Sequence, residues 1–398
     1  MNKADKWEIA DNQLNQSATM RAVVLEDVGK LNIREIPRPQ PKAKDLLLKV
    51  GAVGICGTDL HIFQGHCNYN FDQTGRPIPL TEQPQILGHE ICGTVIDLGG
   101  EVEDFRAGDR VLVDQGINCY SAGRAPCEYC LSGASHQCEN YQEHGITGLQ
   151  GAMAEYIAVP ANNAIKLPED LPFEQAVVSE PLACILHAGD MLERAATRYR
   201  FDGPNPIRYL LICGAGPAGL LFLQYFKNVK KFEGPIFVSD FKPRRLELAA
   251  ALGAVTIDLN KQSLQQAIHE LTDGYRLNLL VEASGSGALF EDIPRVLRRQ
   301  GTVLLYGHGQ KGKELNVLNA SQFIEAYLVV STGASGGFDQ QHHPIIYRRA
   351  MELIYNGTVA AQPIVTHIYR SFEHLQQAFA KDFQEPDYIK GVFTVGQS

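Results

Sequence analysis

Between residues 20 and 167 the apolar positions fall in short runs, at 20–25, 46–53, 93–98, 110–113, 151–159 and 164–167, separated by Gly, Pro and Asp. Runs of that length broken by turn formers predict strands, and their number predicts a compact, partly open β-barrel. After Glu180 the rhythm changes. Continuous apolar runs at 209–213, 236–239, 255–257, 279–282, 302–306 and 327–331 alternate with helix-period stretches, which predicts a doubly wound parallel sheet covered on both faces. A helix at 344–355 leads out of it. Strands at 360–369 and 390–395, with a helix from Ser371 striped by Leu375 and Phe379, then return to the β-rich part. Residues 1–19 are polar and aperiodic, an N-terminal extension. The expected division is 20–184 with 340–398 for the β-rich domain and 185–339 for the α/β domain, within an α/β fold class.

A chain of 398 residues is too long for one core, in keeping with two domains. A net charge of -9 without a basic stripe repels a phosphate backbone, so no nucleic acid is expected. No run reaches the roughly 18 apolar residues of a membrane span, and Met1–Glu8 lacks a secretory apolar core; a cytoplasmic protein with no membrane partner is expected. Nine cysteines in so long a chain are no disulfide scaffold, and clustered thiols in a reducing compartment point to metal.

Two short turns carry the chemistry. Cys56 lies in Gly54-Ile55-Cys56-Gly57-Thr58-Asp59-Leu60-His61, and His89 and Glu90 lie in Leu87-Gly88-His89-Glu90. A soft sulfur, a borderline nitrogen and a hard oxygen suit Zn(II), with Glu180 a further carboxylate from far along the chain. The first strand of the α/β part ends in Gly214-Ala215-Gly216-Pro217-Ala218-Gly219 and runs into a helix. The first glycine permits a tight turn, the second lets backbone approach a pyrophosphate, and the third lets helix and strand pack closely. Asp240, at the end of the next strand, is placed to accept both adenosine ribose hydroxyls, which favours NAD. Lys242, Arg244 and Arg245 just beyond are the groups that would hold the extra phosphate of NADP instead.

In this order, Gly54 to Asp59, Gly88-His89-Glu90, Gly108-Asp109-Arg110-Val111, a cysteine lobe, Ala154-Glu155-Tyr156, Glu180-Pro181-Leu182 and the glycine turn, the chain resembles the zinc-dependent medium-chain alcohol and polyol dehydrogenases. The resemblance implies a GroES-like catalytic domain joined to a Rossmann domain, with zinc and NAD in the cleft between them. Glu180-Pro181-Leu182 places it nearer the sorbitol and sugar dehydrogenase branch. It further implies that Thr58 touches the substrate oxygen, that His61 passes the proton to solvent, and that Asp59 orients His89. Glu180 would bind zinc directly or through the metal's water.

Two departures stand out. The 32 residues between Cys56 and His89 are several more than is usual in that branch, the excess falling in 64–83, where it is expected to overlie the pocket. In the lobe, Cys127, Cys130 and Cys138 fit the last three ligands of the family's structural zinc, Arg124 stands in the first place, and Cys119 is expected to replace it. His342-His343 reads as a solvated loop, His187 as a core histidine, and Cys67, Cys92, Cys184 and Cys213 as small core residues. The expected activity is NAD-linked oxidation of a secondary hydroxyl of a polyol, sugar or cyclitol. The alternatives are threonine-dehydrogenase-like oxidation of an amino alcohol and a catalytically silent zinc- and NAD-binding protein. A homo-oligomer, dimer or tetramer, paired through the 327–331 edge strand, is expected.

Overall fold

The computed structural model describes residues 19–308 and 319–395, with the backbone alone at 319–320; the 1–18 extension lies outside the described residues. The β-rich part comprises β1 (Thr19–Asp27), β2 (Lys30–Pro37), β3 (Asp45–Ile55), α1 (Gly57–Phe63), β4 (Gln85–Ile86), β5 (Glu90–Leu98), β6 (Arg110–Val113), β7 (Gly116–Ile117), α2 (Glu128–Leu131), β8 (Gln142–Glu143), β9 (Tyr156–Pro160), β10 (Ala164–Lys166) and α3 (Phe173–Ala176). From α4 (Ser179–Arg194) the chain enters β11 (Leu210–Cys213), α5 (Pro217–Gln224), β12 (Ile236–Asp240), α6 (Pro243–Ala251), β13 (Val255–Asp258), α7 (Leu264–Leu271), β14 (Leu277–Glu282), α8 (Leu289–Val296), β15 (Leu297–Leu305), α9 (Asn319–Gln322) and β16 (Tyr327–Val330). It closes with α10 (Ile345–Tyr355), β17 (Val365–Tyr369), α11 (Phe372–Ala380) and β18 (Lys390–Thr394).

The β-rich part turns on β3, whose eleven residues pair antiparallel with β5 along one edge and, along the other, with β9 at its start and β18 at its end. β18 is therefore built into this sheet between β3 and β17, as the late return of strand patterning predicts. Here register makes chemistry. Gly54 of β3 stands opposite Glu90 of β5, so Cys56, just past one strand, and His89, just before the other, become neighbours. A Cβ on Gly54 would fall inside contact distance of the Glu90 carboxylate, so glycine is what lets that carboxylate fold back over β3.

The second part is a six-stranded parallel sheet in the order β13-β12-β11-β14-β15-β16. β11, apolar throughout, and β14, apolar but for Asn278 and Glu282, are the central strands and are wholly buried because helices cover both faces. One core lies on the outer face, where Leu211, Phe237, Ile268 and Ile293 meet; the other joins Ile212, Phe222 and Val281 to α4, α10 and Ala52, Cys92 and Leu112 of the β-rich part. α4 runs unbroken from Ser179 to Arg194, so the division placed at 184/185 falls inside a helix shared by both parts. Two strands are shorter than their patterns. Residues 151–153 bond instead to the backbone of Ile86 to Gly88 and buttress the turn before His89, with β9 starting only at Tyr156. Ala360 is tied to the Gln224 side chain and Pro363 precedes the first ladder position, so β17 starts at Val365.

Candidate active site and metal centres

Cys56 caps α1, and two residues of that helix's first turn organise the site. Asp59 accepts the Cys56 N–H at 2.8 Å through one carboxylate oxygen and the Gly88 N–H at 3.1 Å through the other, locking the two turns together. The second oxygen also lies 3.5 Å from His89 Nδ1, an ion-pair distance without a formed hydrogen bond, which leaves Nε2 as the ring nitrogen turned from that carboxylate. One donor atom each of Cys56, His89 and Glu90 lies within 4.8 Å of the others, and Glu90 Oε2 is buried without a hydrogen-bond partner. This donor set, with an unsatisfied buried oxygen, fits a zinc ion. Burial disfavours the His89 cation, but Asp59 and then Cys56 outweigh it and raise the imidazole pKa. Thr58 Oγ1 stands 3.8 Å from Cys56 Sγ. The His61 ring lies further along α1, its centroid 5.8 Å from that of His66.

Glu180 lies outside this trio. It opens α4, where its Oε1 accepts from Gln115 Nε2 at 3.1 Å and from Cys184 Sγ at 3.5 Å. Burial raises its pKa, His89 opposes the rise, and Glu90 adds to it, for a value of about 7. Cys184, expected to be a small core residue, is thus a donor to Glu180. Cys92 and Cys213 are buried as expected, and His187 is buried.

Three residues that sequence reasoning passed over complete the surroundings. Lys390, only 2% exposed, is paired with Glu90 Oε1 and donates to the Ile55 carbonyl at 3.1 Å. Burial works against its charge, but Glu90 more than compensates and lifts its pKa above the ordinary lysine range. A lone lysine inside the apolar run 388–395 was the available signal. Gln115 bonds Glu180, accepts the Tyr347 hydroxyl at 2.6 Å, and reaches Glu143 Oε1 at 3.5 Å. Glu143 also accepts from Tyr141 at 2.8 Å. Neither Gln115 nor Glu143 belongs to a motif, so no local pattern marked them.

The 64–83 insertion is built and anchored. Asn68 Nδ2 donates to the Ile78 carbonyl, Ile78 N–H to Asn70, and Asp72 N–H to Arg76, all at 2.8 to 2.9 Å. Gln83 Nε2 bonds the Gly148 carbonyl at 3.1 Å, and Asn70 fills the space that a side chain at Gly148 would need. Its Tyr69 is half-buried. Burial, then Cys67, raise the phenol pKa, with further contributions from Cys56 and Glu143, which places that hydroxyl within electrostatic reach of the site.

Away from the cleft, the four sulfurs of Cys119, Cys127, Cys130 and Cys138 lie within 4.8 Å of one another, with Cys119 in the fourth place. Backbone N–H groups of Cys130 and Glu139 aimed at Cys127 lower its pKa to about 6, so a thiolate is favoured there. Four convergent thiols, one of them acidic, fit a closed zinc site.

At the cofactor turn, Gly214 has φ +100°, and a Cβ on Gly219 would collide with the Gly214 carbonyl, as the glycine pattern requires. Pro217 and Ala218 open α5. Asp240 accepts Ala215 N–H at 2.7 Å and Lys242 N–H at 2.8 Å, which fixes its carboxylate beside the turn. Arg245 lies against Gly216, donates to the Tyr388 carbonyl at 2.9 Å, and keeps a buried Nε without a partner. Lys242 is tied to the Glu385 carbonyl and Arg244 to Glu247. The turn, the helix N-terminus and the unpartnered guanidinium nitrogen fit a dinucleotide.

A dinucleotide turn in the parallel-sheet part and a thiolate, imidazole and carboxylate cluster in the β-rich part together define a two-domain dehydrogenase. Family profiles agree: an alcohol dehydrogenase GroES-like domain matches residues 42–169, and a zinc-binding dehydrogenase domain matches 217–350. The L-threonine 3-dehydrogenase of Alteromonas mediterranea is 30% identical over 87% of this chain and 91% of its own length, and the sorbitol dehydrogenase of Bacillus subtilis is 29% identical over 92% and 94%. An NADH complex of an alcohol dehydrogenase from E. coli CFT073 superposes with a TM-score of 0.76 at 25% identity, covering 95% of this chain and all of that one. A protein from Sinorhizobium meliloti 1021 solved with NADP gives 0.76 at 27%, with the same coverage. The chain belongs to the zinc-dependent medium-chain dehydrogenase family.

Proposed function

We propose that the protein oxidises a secondary hydroxyl of a polyol, sugar or cyclitol with NAD, using a zinc ion held by Cys56, His89 and Glu90. The observation that carries this reading is the convergence of those three donors at the end of β3, with Glu180 just outside them. When bound, zinc supplies a Lewis acid for the substrate hydroxyl and NAD supplies the hydride acceptor. The chain supplies the rest. Thr58, beside Cys56, relays the hydroxyl proton by passing on its own as it accepts, toward the His61 imidazole further along α1, which carries it outward. Asp59 fixes both turns and faces His89 Nδ1. Glu180, held by Gln115 outside the trio, serves through water rather than as a direct ligand. Tyr69 of the insertion and Glu143 bring a hydroxyl and a carboxylate within electrostatic reach of the metal donors, groups suited to a polyhydroxylated substrate.

NAD rather than NADP is the cofactor on this reading, because the Asp240 carboxylate is held beside the turn at the end of β12 while the Lys242 and Arg244 side chains are engaged elsewhere. The four cysteines of the lobe hold a second, structural zinc. Two copies pair through β16, an edge strand that exposes Leu328 and Val330. The cytosol is the setting, since all nine cysteines are free of disulfides. Among the described residues no helix is long and apolar enough to cross a membrane.

A second reading, oxidation of an amino alcohol, is favoured by the relatives named L-threonine 3-dehydrogenase at 30 to 31% identity. One assay separates the two: NADH formation followed by near-ultraviolet absorbance over polyols, cyclitols and amino alcohols, with and without chelator. Chelator-sensitive turnover of polyols or cyclitols is expected. Turnover confined to amino alcohols would select the second reading, and turnover indifferent to chelator would refute the zinc mechanism.

A further inference from the structure

The cysteine lobe is fastened to a loop of the other domain by contacts that neither metal binding nor the reaction uses. His136, between Cys130 and Cys138, donates its backbone N–H to Ser335 Oγ at 3.0 Å and accepts the Ala334 N–H on its ring Nδ1 at 2.8 Å. Gly337 N–H bonds the Gly133 carbonyl at 3.0 Å, and the Tyr120 ring stacks on His342 at 4.2 Å with the edge of Phe338 at 4.9 Å. His342, expected to be merely solvated, is exposed but belongs to this seam. The fit is close. A Cβ at Gly333 would stand 2.5 Å from His136 Nδ1, and one at Gly133 would stand 3.0 Å from Gly337 Cα.

The far side of the imidazole is equally fixed. Because Nδ1 accepts, Nε2 carries the proton, and it meets Asp114 Oδ1 at 3.1 Å. That oxygen also accepts the Gly116 N–H at 2.8 Å, while Asn163 holds the carbonyls of Asp114 and Gly116. His136 is thus a buried strut between the β6–β7 corner and residues 334–335.

Those residues lie where position matters. The 331–337 loop leaves the carboxyl end of β16, on the β14-β15-β16 side of the sheet's switch point, opposite the side carrying Asp240. Dinucleotides lie across that edge with adenosine on one half and the second nucleoside on the other. We propose that the cysteine lobe, acting through His136, positions the 331–337 loop against the nicotinamide half of the bound cofactor. The lobe is then a brace for cofactor geometry as well as a clamp on local structure. This inference rests on the NAD-binding reading above.

Binding measurements separate the two halves of the cofactor. Calorimetric titration of the holoprotein with NADH and with ADP-ribose, which lacks the nicotinamide, compares the parent with His136→Leu and with the milder Tyr120→Ala and Ser335→Ala. The expected result is ADP-ribose affinity within about twofold of the parent and NADH affinity at least about tenfold weaker in His136→Leu, with smaller losses of the same selectivity in the other two. Equal weakening of both ligands, or of neither, in the variants that fold would overturn the brace. Failure of the parent to bind ADP-ribose would remove the cofactor reading first, and this inference with it.

Discussion

Lys390 carries a charge into a place water does not reach, and it does so opposite Glu90, a candidate metal ligand 300 positions away. Removing one partner of a buried pair leaves the other charge unmatched, at a cost of about 3 to 5 kcal/mol. Lys390→Met should therefore lower the unfolding free energy measured by urea denaturation by that much, and a change under about 1 kcal/mol would show that Glu90 is neutralised by another group. Glu180 makes a pH-dependent prediction. Its pKa, raised by burial to about 7 against 4.5 for the free side chain, means that the folded chain holds a proton that the unfolded chain has lost between those values. The stability this contributes is full below about pH 4.5 and is lost as pH rises through about 7. In metal-stripped protein, Glu180→Gln should remove that decline relative to the parent, read as melting temperature against pH; parallel curves would contradict the shift. Residue types were enough to find Cys56, His89 and Glu90, because three metal donors in two short turns are distinctive. Gln115 and Lys390 are common types whose importance comes only from partners brought in by the fold.

Strand register does at the level of elements what ligand chemistry does at the level of residues. Pairing Gly54 with Glu90 brings the turn after β3 beside the turn before β5, and pairing Gly391 with Ile55 sets Lys390 beside both. Alternating runs made the strands themselves legible, but a sequence does not show which residue of one strand faces which of another. The same limit hid the internal bonding of the 64–83 insertion, whose position between ligands was nevertheless readable. The glycine turn was legible completely, since each glycine answers a local steric demand. Gly219→Ala should push α5 off the Gly214 carbonyl and weaken NADH binding at least about tenfold in fluorescence titration. Unchanged affinity would mean that the dinucleotide does not seat on this turn.

Across the whole molecule, β17 and β18 complete the β-rich sheet while α4 and a shared core join it to the parallel sheet. The shift from strand runs to alternating runs foretold two domains, but the continuity of α4 through the division was invisible because its helical pattern has no break there. The exposed edge of β16 predicts association: replacing both Leu328 and Val330 by Lys should shift the protein to the monomer in light scattering, and an unchanged mass would place the interface elsewhere. The central claim is that two separate donor sets each hold zinc and that only one serves the reaction. Zinc content and NADH formation measured together on the parent, Cys56→Ser and Cys130→Ser test it most directly. The account predicts two zinc ions per chain in the parent and one in each folded variant, with turnover abolished in Cys56→Ser and retained in Cys130→Ser at saturating NAD, where a loosened lobe raises the NAD concentration needed. Full zinc content or undiminished turnover in Cys56→Ser would contradict it.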